Sequence, residues 1–268
     1  MLSFENKYVY LPINELEMKV IVHPDFSAEE SFIQGLPSAF RRGEGRLLHD
    51  GRNKLRVFEH EGKCYAVKRF KDVNMFQRLA YTFFRKTKAE RAFRYAAIFR
   101  QRGIDTPHEV AFIEENPGGF FLTGYFVCLY CPNPPAFPVL VPPEHFDERM
   151  ADDLAVLVAR MHQKGIIFGD LNLGNFLYQK KADGHYHFSV VDINRSRFVE
   201  KSLPFDACME NLRTMTHRED LFRHILQKYA DEQQWDRNLV VDEALRTFRK
   251  FVERYRKKNE LKKLFKNR

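Results

Sequence analysis

The 268-residue sequence is poor in cysteine, has one tryptophan and lacks any long apolar run. Its longest weakly polar run, residues 118–131, is interrupted by glycine and is too short to cross a bilayer. The N-terminus has no basic start followed by an apolar block, so no secretory signal is predicted. We therefore expect a cytoplasmic protein without a membrane-spanning helix.

Four cysteines are too few for a disulfide scaffold, and reduced thiols are expected. Cys128 and Cys131 form a C-x-x-C pair, which can be a redox pair or half of a zinc site. The pair ends an apolar strand and runs into a proline-rich segment, whereas a redox pair needs a helix N-terminus. No second ligand pair for zinc stands out. The pattern favours buried or hinge cysteines.

Acidic residues are scarce in two parts of the chain. Residues 246–268 hold 11 Lys or Arg and 2 acids, while the rest of the chain is close to neutral, so the net charge of +8 resides in this tail. Residues 74–103 hold eight bases and one acid, Glu90. Glu90 is therefore the single carboxylate that this segment can supply to a site.

The first half of the chain has the pattern of a small antiparallel sheet. Residues 45–48, 54–59 and 64–70 are predicted strands joined by short polar turns, which indicates two hairpins in series. A helical pattern then ends at Gly103, and residues 110–114 and 119–130 are predicted strands around an Asn-Pro-Gly-Gly turn. We interpret residues 1–131 as an N-terminal lobe.

Six prolines in residues 132–143 predict a hinge without regular structure. Beyond it the pattern becomes helical, with a helix that ends at Gly165, a short hairpin over 176–193, and helices near 221–229 and 241–265. We interpret residues 144–245 as a helical C-terminal lobe and 246–268 as a basic amphipathic tail. Sheet followed by helices indicates a two-lobed α+β fold.

Three polar residues around the predicted hairpin carry the chemistry. Asp170 and Asn175 lie in the loop before the hairpin, and Asp192 lies at its end, so the hairpin returns Asp192 to Asn175. This spacing fits a kinase, in which Asp170 accepts a proton from the acceptor hydroxyl while Asn175 and Asp192 bind Mg²⁺.

The loop has two other interpretations. Short polar side chains such as Asp170 and Asn175 often only cap turns. A calcium loop would need Asp or Asn at position 174 and Gly at 175, and the sequence has the reverse, Gly174 and Asn175.

The kinase interpretation requires a strand lysine and a helix carboxylate upstream, and both are present. Lys68 ends a Tyr-Ala-Val-Lys sequence on the third predicted strand, where it is expected to reach the nucleotide phosphates and assist catalysis. Glu90 is expected to orient Lys68. The alternative for Glu90 is a surface pair with Arg94, four residues later on the helix.

A glycine-rich phosphate loop is only weakly indicated. The turn between the first two predicted strands holds Gly51, Arg52 and Asn53, whose backbone N–H groups and guanidinium could contact phosphates. An ordinary hairpin turn explains the same residues almost as well.

Together these motifs resemble the bacterial lipopolysaccharide kinase (Kdo/WaaP) family, over residues 40–229. The resemblance implies a protein-kinase-like fold, ATP and Mg²⁺ as cofactors, and a sugar hydroxyl of the inner core on lipid A as acceptor. The motifs that carry it are Asn53, Val67-Lys68-Arg69-Phe70, Thr87-Lys88-Ala89-Glu90, Gly103-Ile-Asp-Thr-Pro107, Gly169-Asp170, Asn175-Phe176-Leu177 and Asp192-Ile-Asn-Arg195.

The sequence departs from protein kinases in two places. Phe168 and Gly169 replace the His-Arg that precedes the catalytic Asp, which makes control by an activation-loop phosphate unexpected. Only 76 residues follow Asp192, without an Ala-Pro-Glu motif, which favours a small or glycan acceptor. Other small molecules or a protein side chain stay open as acceptors.

Two other classes of function compete with the kinase interpretation. A pseudokinase scaffold would keep the fold without the chemistry, but all five expected site residues are retained. A nucleic-acid binder is suggested by the basic tail, whose aromatic residues lie at helical spacing instead, so no nucleic-acid partner is expected. We expect residues 245–255 to pack on the helical lobe. Residues 256–268 are expected to lie on the anionic inner face of the cytoplasmic membrane, with a solvated charge run as the alternative.

Overall fold

The computed structural model describes the backbone of residues 9–13 and 18–266, and the side chains of residues 18–257 and 260. The chain divides into two compact units, residues 1–132 and 133–268. Among the described residues, no helix is long and apolar enough to cross a membrane.

The N-terminal unit is built around one seven-stranded antiparallel sheet with the strand order β1-β2-β6-β7-β5-β4-β3. Its elements are β1 (Val9–Ile13), β2 (Met18–Val22), α1 (Glu30–Arg41), β3 (Arg46–Asp50), β4 (Lys54–His60), β5 (Lys63–Arg69), α2 (Met75–Phe83), α3 (Lys88–Gln101), β6 (Glu109–Glu115) and β7 (Thr123–Leu129).

Both faces of this sheet are covered, because alternate residues of a strand point to opposite sides. On β2, Val20 belongs to an apolar cluster with Ile33 and Phe40 of α1. Its neighbour Ile21 belongs to a second cluster with Phe93 of α3. The sheet therefore lies between α1 and α3, and its central strands are buried.

The C-terminal unit is mainly helical. Its elements are α4 (Phe137–Leu140), α5 (Glu148–Gln163), β8 (Ile166–Ile167), β9 (Phe176–Lys180), β10 (Tyr186–Val190), β11 (Arg197–Phe198), α6 (Phe205–Leu212), α7 (Glu219–Gln233) and α8 (Arg237–Lys266). Helix α7 packs between α5 and α8. The β9–β10 hairpin pairs Phe176 with Val190, and β8 pairs with β11.

The predicted strands and helices of both halves are present. The sequence analysis missed β1, β2 and α1, which all precede the first predicted strand, and gave no separate prediction for α2 or the two-residue strands β8 and β11. Lys68 therefore lies on the fifth strand of the chain and not on the third. Gly35 and Pro37 inside α1 conceal its helical pattern, but its apolar side chains are buried against the sheet.

The prediction that residues 132–143 contain no regular structure is wrong. Phe137–Leu140 form α4, whose proline lies in the first turn, where a missing N–H costs nothing. Tyr178 N–H donates to the Pro134 carbonyl at 2.9 Å and Ala136 N–H donates to the Phe176 carbonyl at 2.8 Å. The segment is thereby attached to the β9–β10 hairpin.

The basic tail is part of a longer helix, since the predicted boundary at 245/246 falls inside α8. Leu245 is buried and the Phe248 ring lies 5.9 Å from the Phe222 ring, as the packing prediction requires. The packing prediction is wrong for Tyr255, because this side chain is 59% exposed. The side chains at 258, 259 and 261–268, including the predicted interfacial Leu261, Leu264 and Phe265, lie outside the described residues.

Candidate active site

The catalytic loop predicted from the sequence lies between β8 and β9 of the C-terminal unit. Asp170 lies three residues after the end of β8, and Leu173–Asn175 form a 3-10 turn that leads into β9. The side chain of Asp170 is 35% exposed. A carboxylate on a fixed loop with one side open to solvent can accept a proton from a bound hydroxyl.

Two asparagines fix the position of Asp170. Asn175 Nδ2 donates to the Asp170 carbonyl at 2.9 Å, and Asn172 Nδ2 donates to the same carbonyl at 3.1 Å. Asn172 also caps the 3-10 turn, because its Oδ1 accepts from Gly174 N–H at 3.0 Å. The turn-capping alternative thus describes Asn172 well. Asn172 Nδ2 also donates to Asp170 Oδ1 at 3.3 Å, and the Asp170 side chain keeps one side open to solvent.

Arg195 brings a positive charge to this carboxylate from the segment after β10. Its Nη1 lies 3.6 Å from Asp170 Oδ2. Gly169 permits this approach, because a Cβ at position 169 would lie 2.2 Å from the Arg195 carbonyl oxygen. The Arg that precedes the catalytic Asp in protein kinases cannot fit here, and the guanidinium beside Asp170 comes from Arg195 instead.

The hairpin returns Asp192 to the neighbourhood of Asn175, as the spacing predicted. Val191 N–H donates to the Asn175 carbonyl at 2.9 Å, directly after the Phe176–Val190 pair of the hairpin. Asp192 has a left-handed backbone, with φ 56° and ψ 41°. A non-glycine residue held in this conformation is typical of functional sites.

Asn175 and Asp192 fit a Mg²⁺ site by the chemistry of their oxygens. Because Asn175 Nδ2 is engaged by the Asp170 carbonyl, its Oδ1 is the atom left for a ligand. Asp192 supplies a carboxylate whose Oδ1 accepts from Asn194 Nδ2 at 2.5 Å. Amide and carboxylate oxygens are the protein ligands that Mg²⁺ prefers.

A buried polar network behind the loop was missed by the sequence analysis. Asn211 of α6 accepts from the Phe168 N–H at 3.1 Å and donates to the Phe168 carbonyl at 2.8 Å. His162 of α5 bonds Asn211 Oδ1 at 3.1 Å and the Tyr229 hydroxyl of α7 at 2.8 Å. Burial lowers the pKa of His162 to about 4, so the imidazole is neutral at pH 7. Asn211 thus anchors the backbone two residues before Asp170.

Lys68 lies on β5 in the N-terminal unit, where it pairs with Leu55 and Phe126 of the neighbouring strands. Its side chain is half-buried, and its Nζ lies 5.6 Å from the centre of the Phe70 ring. A lysine on a central, covered strand has a defined position, as a phosphate-binding lysine requires.

Glu90 lies in the first turn of α3, which the sequence motif Thr-x-x-Glu starts. The Thr87 hydroxyl accepts from Glu90 N–H at 3.1 Å, so Thr87 caps the helix. The Glu90 carboxylate accepts from Arg94 Nε at 2.7 Å. The structure therefore contains the alternative pair that the sequence left open, and the pairing of Glu90 with Lys68 stays a prediction.

The turn between β3 and β4 holds Gly51, Arg52 and Asn53. Asn53 Oδ1 accepts from Lys71 N–H at 3.2 Å, so this side chain ties the turn to the end of β5. Arg52 is exposed to solvent. The turn is an ordinary hairpin in shape, and phosphate binding by its residues stays a prediction.

The cysteines are free thiols in the structure. Burial raises the pKa of the Cys128 thiol to about 12, which disfavours the reactive thiolate. Cys128 lies inside β7 and not at a helix N-terminus. Cys128 and Cys131 are half-buried, and their role as hinge or buried cysteines stays a prediction.

Each unit thus holds one part of the expected machinery. The C-terminal unit brings Asp170, Asn175 and Asp192 together through its loop and hairpin. The N-terminal unit holds Lys68 on its sheet and Glu90 on the helix that covers one face of that sheet.

Comparison with solved structures identifies the fold. A structure described as WaaP in complex with acyl carrier protein matches with a TM-score of 0.54 and 15% sequence identity, over 86% of this chain and 98% of that chain. The Rio2 kinase from Chaetomium thermophilum is also similar, with a TM-score of 0.44, 12% identity and coverage of 91% and 84%. The predicted α+β protein-kinase-like fold is confirmed.

Sequence comparison finds a family match within the C-terminal unit. No curated protein sequence matches the chain significantly. The family model of the lipopolysaccharide kinase (Kdo/WaaP) family matches residues 136–240, which include Asp170, Asn175 and Asp192. This match and the fold shared with WaaP support the resemblance to the lipopolysaccharide kinase (Kdo/WaaP) family that the sequence motifs indicate.

Proposed function

We propose that this protein transfers the γ-phosphoryl group of ATP to a sugar hydroxyl, of Kdo or heptose, in the inner core of lipopolysaccharide. The arrangement that carries the proposal is the open carboxylate of Asp170 beside Asn175, with Asp192 returned by the β9–β10 hairpin. The family match of this same segment supports a lipopolysaccharide acceptor.

In the proposed reaction, Asp170 accepts the proton of the acceptor hydroxyl. The hydroxyl oxygen forms a bond to the γ-phosphorus, the bond from that phosphorus to the bridging oxygen breaks, and ADP leaves. Asn175 and Asp192 would bind Mg²⁺, which neutralises charge on the phosphates when bound. Lys68 would contact the phosphates and Glu90 would orient Lys68, while Arg195 adds positive charge near Asp170.

The acceptor is proposed to be linked to lipid A and therefore to lie at the inner face of the cytoplasmic membrane. Residues 246–268 carry 11 bases against 2 acids, which suits an anionic surface. Arg256 and Lys257 are exposed on α8. We therefore propose a cytoplasmic enzyme that associates peripherally with this membrane, without a nucleic-acid partner.

The test uses labelled ATP, Mg²⁺ and a panel of lipid A-linked and lipid-free core oligosaccharides, with mass spectrometry of the product. We expect phosphorylated sugar from wild type. Asp170→Ala should lower kcat by about 10²- to 10⁴-fold, since general-base catalysis contributes that much, and should keep ATP affinity.

Asp183→Ala is the matched control, because Asp183 is an exposed loop aspartate of the same unit whose side chain accepts from His185 N–H. This control should retain wild-type kcat. Wild-type turnover by Asp170→Ala would contradict the assignment of the base. Product from a protein or metabolite in place of the core sugar would contradict the acceptor.

A further inference from the structure

Helix α2 is amphipathic in the opposite sense to a normal surface helix. It contacts the rest of the N-terminal unit through its polar side: Arg78 Nε donates to the Phe121 carbonyl at 3.1 Å, and Thr82 Oγ1 accepts from Phe121 N–H at 3.0 Å. The Tyr81 and Phe121 rings lie 5.5 Å apart on this side. No residue of α2 is buried.

The other side of α2 presents large apolar side chains to solvent. Positions 75, 76, 79 and 83 share one side of a helix with 3.6 residues per turn. The Phe83 ring lies 6.2 Å from the rings of both Phe84 and Phe120, so the surface continues beyond the helix. We call this surface the α2 patch, and its members are Met75 (73% exposed), Phe76 (85%), Leu79 (45%), Phe83 (63%), Phe84 (84%) and Phe120 (42%).

The charge around the α2 patch has one sign. Residues 73–89 contain four bases and no acid. Arg85 and Lys86 follow Phe84 directly, and both are exposed. They line the same groove of about 680 Å³ as Phe83 and Phe84. The two acids at this groove are already engaged, Glu90 by Arg94 and Glu114 by Lys19 and Thr87.

We infer that the α2 patch is a docking surface for an anionic lipid bilayer, with α2 lying in the plane of the interface. An exposed aromatic face bordered by bases is the pattern of interfacial helices, whose apolar side chains enter the acyl boundary while the bases meet lipid phosphates. A second copy of the chain fits less well, because a symmetric dimer would bring the exposed Arg85 and Lys86 of both copies together. The choice of a lipid surface as the partner rests on the proposed function, in which the acceptor is linked to lipid.

Vesicle co-sedimentation with the full-length protein tests the inference. The probes are vesicles of phosphatidylglycerol and phosphatidylethanolamine, compared with vesicles of phosphatidylcholine alone. Wild type should bind the anionic vesicles, and Phe76→Ser with Phe84→Ser should lower the partition coefficient at least tenfold. The matched control is Val199→Ser with Leu239→Ser, two exposed apolar residues outside the patch, which should bind like wild type.

A second measurement reports insertion directly. In a Trp235→Phe background, Phe76→Trp places the only tryptophan in the α2 patch. Its emission should shift to the blue on anionic vesicles and be quenched by brominated lipid. An unshifted emission, or vesicle binding by the Phe76/Phe84 variant equal to wild type, would overturn the inference. So would a patch-dependent dimer, or binding of an acidic carrier protein with no vesicle binding.

Failure of this inference and failure of the proposed function give different results. The Phe76/Phe84 variant should phosphorylate a lipid-free core oligosaccharide at the wild-type rate, because the substituted residues are exposed on the surface of the N-terminal unit. If no acceptor is phosphorylated by wild type, the proposed function fails while the vesicle experiments still decide the role of the α2 patch.

Discussion

Glu90 has two proposed partners in the N-terminal unit, Arg94 and Lys68. Its carboxylate binds Arg94 one turn further along α3, and its backbone N–H is held by Thr87. The Glu90 side chain is 10% exposed, and a pair four residues apart on a helix contributes only about 0.2–0.5 kcal/mol. A functional role for Glu90 must therefore come from its other proposed partner, Lys68.

A double-mutant cycle measures whether Glu90 and Lys68 act as one unit. Lys68→Met and Glu90→Gln should each lower kcat/KM more than about tenfold, and the double variant should be little worse than the more damaged single variant. Arg94→Gln is the control and should leave kcat/KM near wild type. Additive losses from Lys68→Met and Glu90→Gln would assign Glu90 to the surface pair instead.

The candidate catalytic residues were predictable because their spacing is local. Asp170 and Asn175 are five residues apart, and the hairpin that returns Asp192 has its own strand and turn pattern. Asn211 and Arg195 were not assigned roles, since an asparagine contact across 43 residues and a guanidinium beside Asp170 leave no spacing signal. Gly169 does leave a signal, because it stands where protein kinases have Arg, and its close approach to Arg195 explains that departure.

Three helices of the C-terminal unit meet at a single histidine. His162 on α5 bonds Asn211 on α6 and Tyr229 on α7, and Asn211 holds the backbone before Asp170. Burial lowers the pKa of His162 from 6.5 to about 4. The unfolded chain therefore binds more protons than the folded chain between these values, so stability falls as the pH falls through this window.

This linkage predicts a pH dependence specific to His162. When the pH is lowered from 7 to 5, protonation of His162 in the unfolded chain should decrease the free energy of unfolding by about 2 kcal/mol. Urea denaturation followed by Trp235 fluorescence reports it, because this only tryptophan packs on Phe205 and Tyr229 of the same unit. His162→Gln should be less stable at pH 7 but lose most of the pH dependence, while exposed His217→Gln should keep it. An unchanged slope in His162→Gln would contradict the linkage.

At the level of elements, the helices with a long apolar stripe were predictable and the interrupted ones were not. Helix α5 has its apolar residues at regular helical spacing, and its bounds match the prediction closely. Helix α1 contains Gly35 and Pro37 and is stabilised by burial of Ile33, Leu36 and Phe40 against the sheet. Tertiary packing overrides local propensity in α1, and a single sequence does not display that packing.

Over the whole molecule, positive charge is concentrated in two segments of the chain. The tail of 246–268 accounts for more than the net charge of +8, and the basic segment that contains α2 is the second concentration. Tyr255, Arg256 and Lys257, near the end of the part of α8 whose side chains are described, are exposed. These three residues can contact an anionic surface without losing packing contacts with the rest of the unit.

Neutralising part of the tail tests whether this charge serves membrane binding. Lys257→Gln with Lys263→Gln should weaken binding to anionic vesicles by about 30-fold at low salt, since each lysine near the surface contributes about 1 kcal/mol. Lys181→Gln with Lys201→Gln changes the net charge equally on exposed lysines outside α8 and serves as the control. Added salt should reduce wild-type binding, because the lipid surface potential is screened over about 10 Å at 0.1 M. Equal binding by the tail variant and this control would show that the charge of α8 is merely solvated.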